Sequence, residues 1–287
     1  MPGTNRTKAA RVRIRYTGET REAAESGVRD ERSLGLDDCP PEPLELRTLL
    51  ALGLFNRSLD LTSPIQWGLH TLTAYTLTLS PRFKRLVLIA DAPYNVVCYL
   101  LPTPSSVSYL PGLRLKETHG YDTYTMVHVP TGAELVVTGN RHGKITGPAG
   151  FNRPRDFLTL DTPVRDVEHD QLRRVPPLSH DAKVLLAGLM CRISTKDPDG
   201  EWAVGTWFSD PLRRPGWLEE SEAYERGLSG SGDRWELHWG GFPYPEDVAA
   251  ALTAPVVGIP GATVHSQAGL CHVELGSAVL TFASRRT

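Results

Sequence analysis

The sequence predicts an α+β fold in which one α-β-β-α-β-β-β unit is written twice and packed as two pseudo-repeats in one compact body. Three observations predict it. "PPEPLELRTLLALGLFNRS" (residues 40–58) aligns without a gap on "PPLSHDAKVLLAGLMCRIS" (residues 176–194), keeping Pro40/Pro176, Pro41/Pro177, Leu49/Leu185, Leu50/Leu186, Ala51/Ala187 and Ser58/Ser194. Next, "FKRLVLIADAPY", "YLPGLRL" and "MVHVPTGAELVVT" follow in the same order as "GDRWELHWGGFPY", "GIPGATV" and "LCHVELGSAVLTF". Finally, the offset between partners drifts only from 136 through 150 to 144, as it would after a few small insertions. Ordered self-similarity of this kind is the mark of duplication, and two such units are expected to pack about a pseudo-twofold axis.

Each unit opens with a helix. Leu46, Leu49, Leu50 and Leu54 recur on one helical face, and Pro41 and Pro43 suit the first turn, where no intrahelical donor is lost. Two strands follow, "LTAYTLTLS" and "RLVLIA", with "WAVGTWF" and "RWELHWG" as their counterparts. The Pro-Tyr pair then starts a short helix, "NVVCYLL" in one unit and "PEDVAAAL" in the other. In the second, Pro245 near the start and Glu246 and Asp247 in the first turn complement the helix dipole. A meander closes the unit: "GLRLKE", "TYTMVHV" and "ELVVT" turned by "PTG", against "ATVHSQ", "LCHVEL" and "AVLTFAS" turned at Gly276.

The expected organisation is a basic, partly disordered arm (1–38), a first unit (39–139), a Gly/Pro/Arg-rich linker (140–175) and a second unit (176–287). Within the arm, "GETREAAESGVRDERS" has the composition of one short helix. The second unit carries extra length, "DPLRRPGWLEESEAYERGLSGSG" (210–232), expected as a solvated insert ending in a flexible Gly-Ser tip.

Composition narrows the function classes. Apolar residues at 40% and charged residues at 22% match a globular core, and a formal charge of −2 gives no global pull toward nucleic acid or anionic lipid. The longest apolar runs fall well short of the ~20 residues that a spanning helix needs. Cys39, Cys98, Cys191 and Cys271 are scattered, so buried free thiols are expected rather than a metal site or disulfides. A cytoplasmic protein without a cofactor and without a membrane partner is the expectation.

Local clusters carry what chemistry there is. "VTGNRHGKITGPAG" is not a phosphate-binding loop, because only three residues separate Gly139 from Gly143 and Ile145 stands where a hydroxyl is required. Yet Arg141, His142, Lys144, Arg153 and Arg155 lie together, and the arm adds Arg11, Arg13 and Arg15. These eight are the candidate phosphate or nucleic-acid contacts. Trp235, Trp239 and Tyr244 form a candidate aromatic surface, with core filling as the competing role. His128 and His272 align in "VHV" and "CHV", and "VEHD" and "LSHD" offer His-Asp neighbours, but no nucleophile accompanies them.

"LLAGLMCRIS" resembles the helix of the LAGLIDADG homing endonucleases over Leu186–Leu189, and single-chain members of that family have two pseudo-symmetric α-β-β-α-β-β-α units. The family's metal-binding carboxylate at the end of that helix has no counterpart. Cys191, Arg192 and Ile193 stand there in one unit and Asn56 and Arg57 in the other, so a two-metal reaction is not implied. The expected function is a non-enzymatic binding or accessory protein, monomeric with pseudo-twofold symmetry or homodimeric. Its partner would be nucleic acid or another protein. The alternative is a hydrolase-like enzyme with a site between the repeats that uses His128 and His272.

Overall fold

The computed structural model describes residues 5–29, 33–56, 65, 67–69, 75–104, 109–145, 147–149, 157–205, 226–240, 242–267 and 269–285. Most of the 210–232 insert, together with Phe151, Arg153 and Arg155, lies outside the described residues. Among those described, no helix is long and apolar enough to cross a membrane.

The first repeat runs α3 (Pro41–Leu54), β1 (Thr76–Arg82), β2 (Arg85–Ala90), α4 (Pro93–Leu100), β3 (Leu113–His119), β4 (Thr123–His128) and β5 (Ala133–Thr138). Before it come α1 (Asn5–Thr17) and α2 (Arg21–Gly27), and after it α5 (Asp166–Arg173). The second repeat is α6 (His180–Arg192), β6 (Gly227–Ser231), β7 (Arg234–Gly240), α7 (Pro245–Thr253), β8 (Thr263–Gln267), β9 (Leu270–Leu275) and β10 (Ala278–Arg285). Each repeat forms a five-stranded sheet, in the orders β1-β2-β5-β4-β3 and β6-β7-β10-β9-β8. The pattern follows from connectivity. A hairpin, a helix and a meander are laid down in turn, and the last meander strand returns to pair in parallel with the second hairpin strand, Leu86 beside Leu135 and Trp235 beside Leu280.

α3 sits on the first sheet, α6 on the second, and the two helices pack on each other, so a single hydrophobic cluster runs through both repeats. Such a helix is buried around most of its circumference, and every residue from Leu46 to Leu54 is buried. Polar contacts across the junction are reciprocal. Past the end of α3, Asn56 accepts from the Leu228 N–H of β6 at 3.0 Å. Past the end of α6, the Ser194 hydroxyl lies 3.3 Å from that of Thr78 on β1.

The expected loose arm is instead folded. Arg13 is fully buried, donating to Glu19 Oε1 at 2.9 Å and to the carbonyls of Leu34 and Pro81 at 2.9 and 3.0 Å. A buried charge is tolerated only when paired and hydrogen-bonded; Glu19 pairs it, and the bond to Pro81 O ties α1 to the first repeat. α2 then lays Ala23 on Val87, Ile89 and Val136, the outer face of the first sheet. That explains a difference between strands that share a position. β2, "RLVLIA", is apolar after Arg85 because both its faces are covered. β7, "RWELHWG", alternates because its Arg234 and Glu236 side is open.

Two registers differ from the sequence alignment. The strand that opens the second sheet is β6, "GLSGS", and not "WAVGTWF". Trp202 instead stacks on Tyr16 at 6.2 Å. Glycines serve β6 by admitting bulk from β7: a Cβ on Gly227 would stand 2.4 Å from the His238 ring. The two histidines are not equivalent either. His272 pairs with Thr281, the counterpart of Val136, whereas His128 pairs with Ala133 at the other end of the hairpin. The β9–β10 turn is two residues shorter than the β4–β5 turn, which slides the alignment by three and reverses the face.

Arg13→Ala is expected to lower unfolding stability by about 3–5 kcal/mol by leaving Glu19 buried and unpaired. Urea titration reads this, and a loss under about 1 kcal/mol would show that the arm is not held by that pair.

Candidate binding surface

The eight basic candidates do not form one patch. Arg11 and Arg15 are exposed on α1, Arg13 is buried, and Arg153 and Arg155 lie outside the described residues. The 141–144 turn does meet the arm, through Thr20 Oγ1 donating to the Arg141 carbonyl at 3.3 Å. Acidic groups are interleaved there: His142 Nδ1 lies 3.0 Å from Glu22, Arg21 is 2.7 Å from Glu25, and Arg15 is 3.7 Å from Asp199. Arg141 and Lys144 are exposed.

The aromatic candidates divide. Trp235 and Trp239 are core residues, on the inward face that the alternation of "RWELHWG" prescribes. Their indole N–H groups donate to Gly232 O at 3.2 Å and Pro243 O at 2.7 Å. Tyr244 alone reaches solvent, at 53% exposure, with its ring 5.6 Å from Phe242.

His128 is also structural. Its Nε2–H donates to Pro111 O at 3.0 Å and its Nδ1 lies 2.9 Å from the Thr131 hydroxyl, and burial pushes its pKa down to about 4. His272, on the outer face of the second sheet, lies 3.0 Å from the Thr281 hydroxyl. The two do not converge. Burial raises the Cys39 thiol to about 11 and raises that of Cys191, which makes neither a ready nucleophile. Among the described residues no three His, Cys, Asp or Glu side chains are grouped to hold a metal ion.

What sets one part of the surface apart is a difference between the repeats. In the first, the linker is seated on the stretch from Pro-Tyr to Pro-Gly. Phe157 packs on Tyr94, ring centroids 6.3 Å apart. Leu158 donates its N–H to Pro102 O at 3.1 Å and accepts from the Leu115 N–H of β3 at 3.0 Å, and Thr159 forms a parallel bridge to Leu115. Glu168 of α5 then accepts from the Gly112 N–H at 2.8 Å and from both arms of Arg114 at 2.8 Å, with Arg165 at 3.0 Å. Glu168 and Arg114 have no solvent contact. Burial alone would raise the Glu168 carboxyl, but the bonds from Arg114, Gly112 and Arg165 outweigh it and hold it at about 2.

The second repeat has the matching turn and edge strand, without a cover among the described residues. Val264 stands where Leu115 does, each opposite the matching residue of the next strand, and Gly261 precedes it by three positions as Gly112 precedes Leu115. The helix start is shifted: Tyr244 caps α7 as Ala92 caps α4, so Glu246 and not Tyr244 has the place of Tyr94. Leu115 is 5% exposed and Val264 is 40% exposed. All five residues of β8 are exposed, and among the described residues no strand pairs with its outer edge. Beside it lies a cleft of about 720 Å³ between α1 and the loop from α7 to β8, edged by Lys8, Val12, Val256 and Gly261. Its floor is closed by Arg192, which is spent on Asp37 with both arms at 2.6 Å and on the Val257 carbonyl. An open strand edge beside a cleft of mixed polar and apolar lining has the form of a polypeptide-binding site.

The chain matches no family model, and comparison with curated proteins and with solved structures found no match. Sequence reasoning missed this surface because its signal lies in the linker. "FLTLDTP" is apolar and extended with no repeat partner of its own.

Two outcomes follow. Tyr94→Ala is expected to cost about 1–2 kcal/mol through the lost Phe157 contact, and Tyr244→Ala under about 0.5 kcal/mol; equal losses by thermal unfolding would contradict the asymmetry. Stability is also expected to fall in two stages on acidification. His128, neutral when folded, stabilises fully above about pH 6.5 and ceases to as pH falls toward 4. Glu168 stabilises fully above about pH 5 and ceases to as pH falls toward 2. Each is on the order of 3 kcal/mol. Urea midpoints against pH should lose the upper stage in His128→Asn and the lower in Glu168→Gln.

Proposed function

We propose that the protein is a non-enzymatic binding protein whose second repeat receives a polypeptide partner along β8 and the adjacent cleft. One observation carries this: among the described residues, the edge strand is covered by the chain's own linker in the first repeat and open in the second. Exposed strand edges invite pairing and are normally covered or charged. β8, "TVHSQ", carries neither Lys nor Pro to discourage it. Five exposed large apolar residues, Phe242, Tyr244, Val256, Val264 and Leu270, belong to this repeat's α7–β9 region.

Nucleic acid is the weaker reading. The contact between the 141–144 turn and the arm supports it, but Glu22, Glu25 and Asp199 offset the cations there, and a phosphate tracker needs uncompensated charge.

Photo-crosslinking in the source cells separates the two. A benzoylphenylalanine placed at Val264 is expected to give a discrete protein adduct, and one at Lys116 of the first repeat none. No adduct at Val264, or adducts only with nucleic acid, would sink the proposal. Retention of single- or double-stranded probes at low salt that depends on Arg141 and Lys144 would move the assignment to nucleic acid.

A further inference from the structure

The register of β8 is complementary to itself. We infer that β8 pairs antiparallel with β8 of a second copy, about a twofold axis at His265, joining two five-stranded sheets into one. This inference rests on the proposed binding role and names a second copy of this chain as the polypeptide received.

Along an antiparallel strand, successive residues turn their backbone groups toward the neighbour and away from it. Gln267 and Leu270 close the β8–β9 hairpin, so Thr263, His265 and Gln267 face β9, while Val264 and Ser266 face outward. The first repeat shows the same phase: Leu115, in the place of Val264, sends its N–H outward to the Leu158 carbonyl at 3.0 Å. An axis at His265 sets Val264 opposite the partner's Ser266, and Ser266 opposite the partner's Val264. Each such pair exchanges two N–H···O bonds, which answers both outward donors and both outward carbonyls of each copy. Centring on His265 also overlaps all five residues of the strand. An axis at Val264 or at Ser266 would leave one outward residue facing chain beyond the strand's end.

Side chains and topology favour a copy over a foreign strand. "TVHSQ" contains no Asp, Glu, Lys or Arg, so self-pairing brings no like charges of the strand together across the axis. Thr263 meets the partner's Gln267, two neutral hydrogen-bonding groups. Val264, 40% exposed, becomes a diagonal neighbour of the partner's Val264 on the inner face. The other three edge strands, β1, β3 and β6, each have buried residues, and β8 has none. Linker residues lie on β3, and Asn56 accepts the Leu228 N–H of β6. One open edge that pairs with itself closes at two copies, where two unlike open edges would grow a fibre. Five residues a side give an interface smaller than the ~1,200 Å² of stable complexes, so the dimer is a reversible one, dissociating on the order of 10 μM.

The test is sedimentation equilibrium of the intact protein at concentrations on both sides of that value. The mass is expected to rise from one chain toward two and no further. Val264→Pro and Ser266→Pro each delete an outward donor, at an edge where sheets accept proline, and should each weaken the dimer about tenfold or more. Tyr121→Ala, on a ring 85% exposed in the first repeat, should change nothing. Cysteines read the register, because directly opposed non-hydrogen-bonded positions bring their Cβ atoms within disulfide reach. Oxidised glutathione, reduced to two glutathione thiols, should join His265→Cys into a disulfide dimer. It should not join Thr263→Cys alone or Gln267→Cys alone, but should join those two variants when mixed. A single-chain mass at every concentration, a dimer indifferent to both prolines, or crosslinking of Thr263→Cys alone but not of His265→Cys overturns the inference. If the purified protein stays single while Val264 crosslinks in cells to a different protein, the binding role stands and the second copy falls. If there is neither dimer nor protein adduct, both fall.

Discussion

A carboxylate removed from water needs its lone pairs answered, and Glu168 receives the Gly112 N–H, both arms of Arg114 and Arg165. That set of bonds decides how the linker is used. With Glu168 fixed, the residues before it are drawn along β3, so Leu158 and Thr159 close an otherwise open edge and Phe157 covers Tyr94. Burying the charge is expensive unless every partner is present, which leaves the linker few other seats. The arm obeys the same rule at Arg13, whose pairing with Glu19 brings α2 onto the outer face of the first sheet.

The two repeats share a topology but not an environment. The linker and α2 are spent on the first repeat, whereas α1 and Asp37 also reach the second, through Trp202 and Arg192. The second keeps the duplicated scaffold with polar residues on its outer sheet face and an unpaired strand at its rim. The sequence records this. Positions that are Val87, Ile89 and Val136 in the covered sheet are Glu236, His238 and Thr281 in the open one. A backbone unit was copied, and its surfaces then diverged according to what touches them.

The duplication was legible because periodicity and local helix signals survive substitution. Pro41, Pro245 and the acidic start of "PEDVAAAL" mark helix ends, and alternation in "RWELHWG" marks a half-covered strand that buries Trp235 and Trp239. Three things were not legible. α1 is rich in arginine and reads as a solvated tail, yet a distant Pro81 carbonyl and Glu19 make Arg13 a core residue. β6 has glycine where a strand usually has bulk, because the His238 and Trp235 side chains need the space. The match of His128 with His272 failed on a turn two residues shorter, a difference that only pairing exposes. The candidate surface depends on which segment lies on which edge, information that no local window contains.

A segment tethered a few residues from its own binding site is present there at millimolar effective concentration. Phe157 follows β5 by fewer than twenty positions, and the segment that it begins meets β3 under those conditions. A free ligand of micromolar affinity cannot displace it. On the proposed reading the chain offers one open edge rather than two, and any complex that it forms through this surface has a stoichiometry set by the covalent tether rather than by the number of repeats.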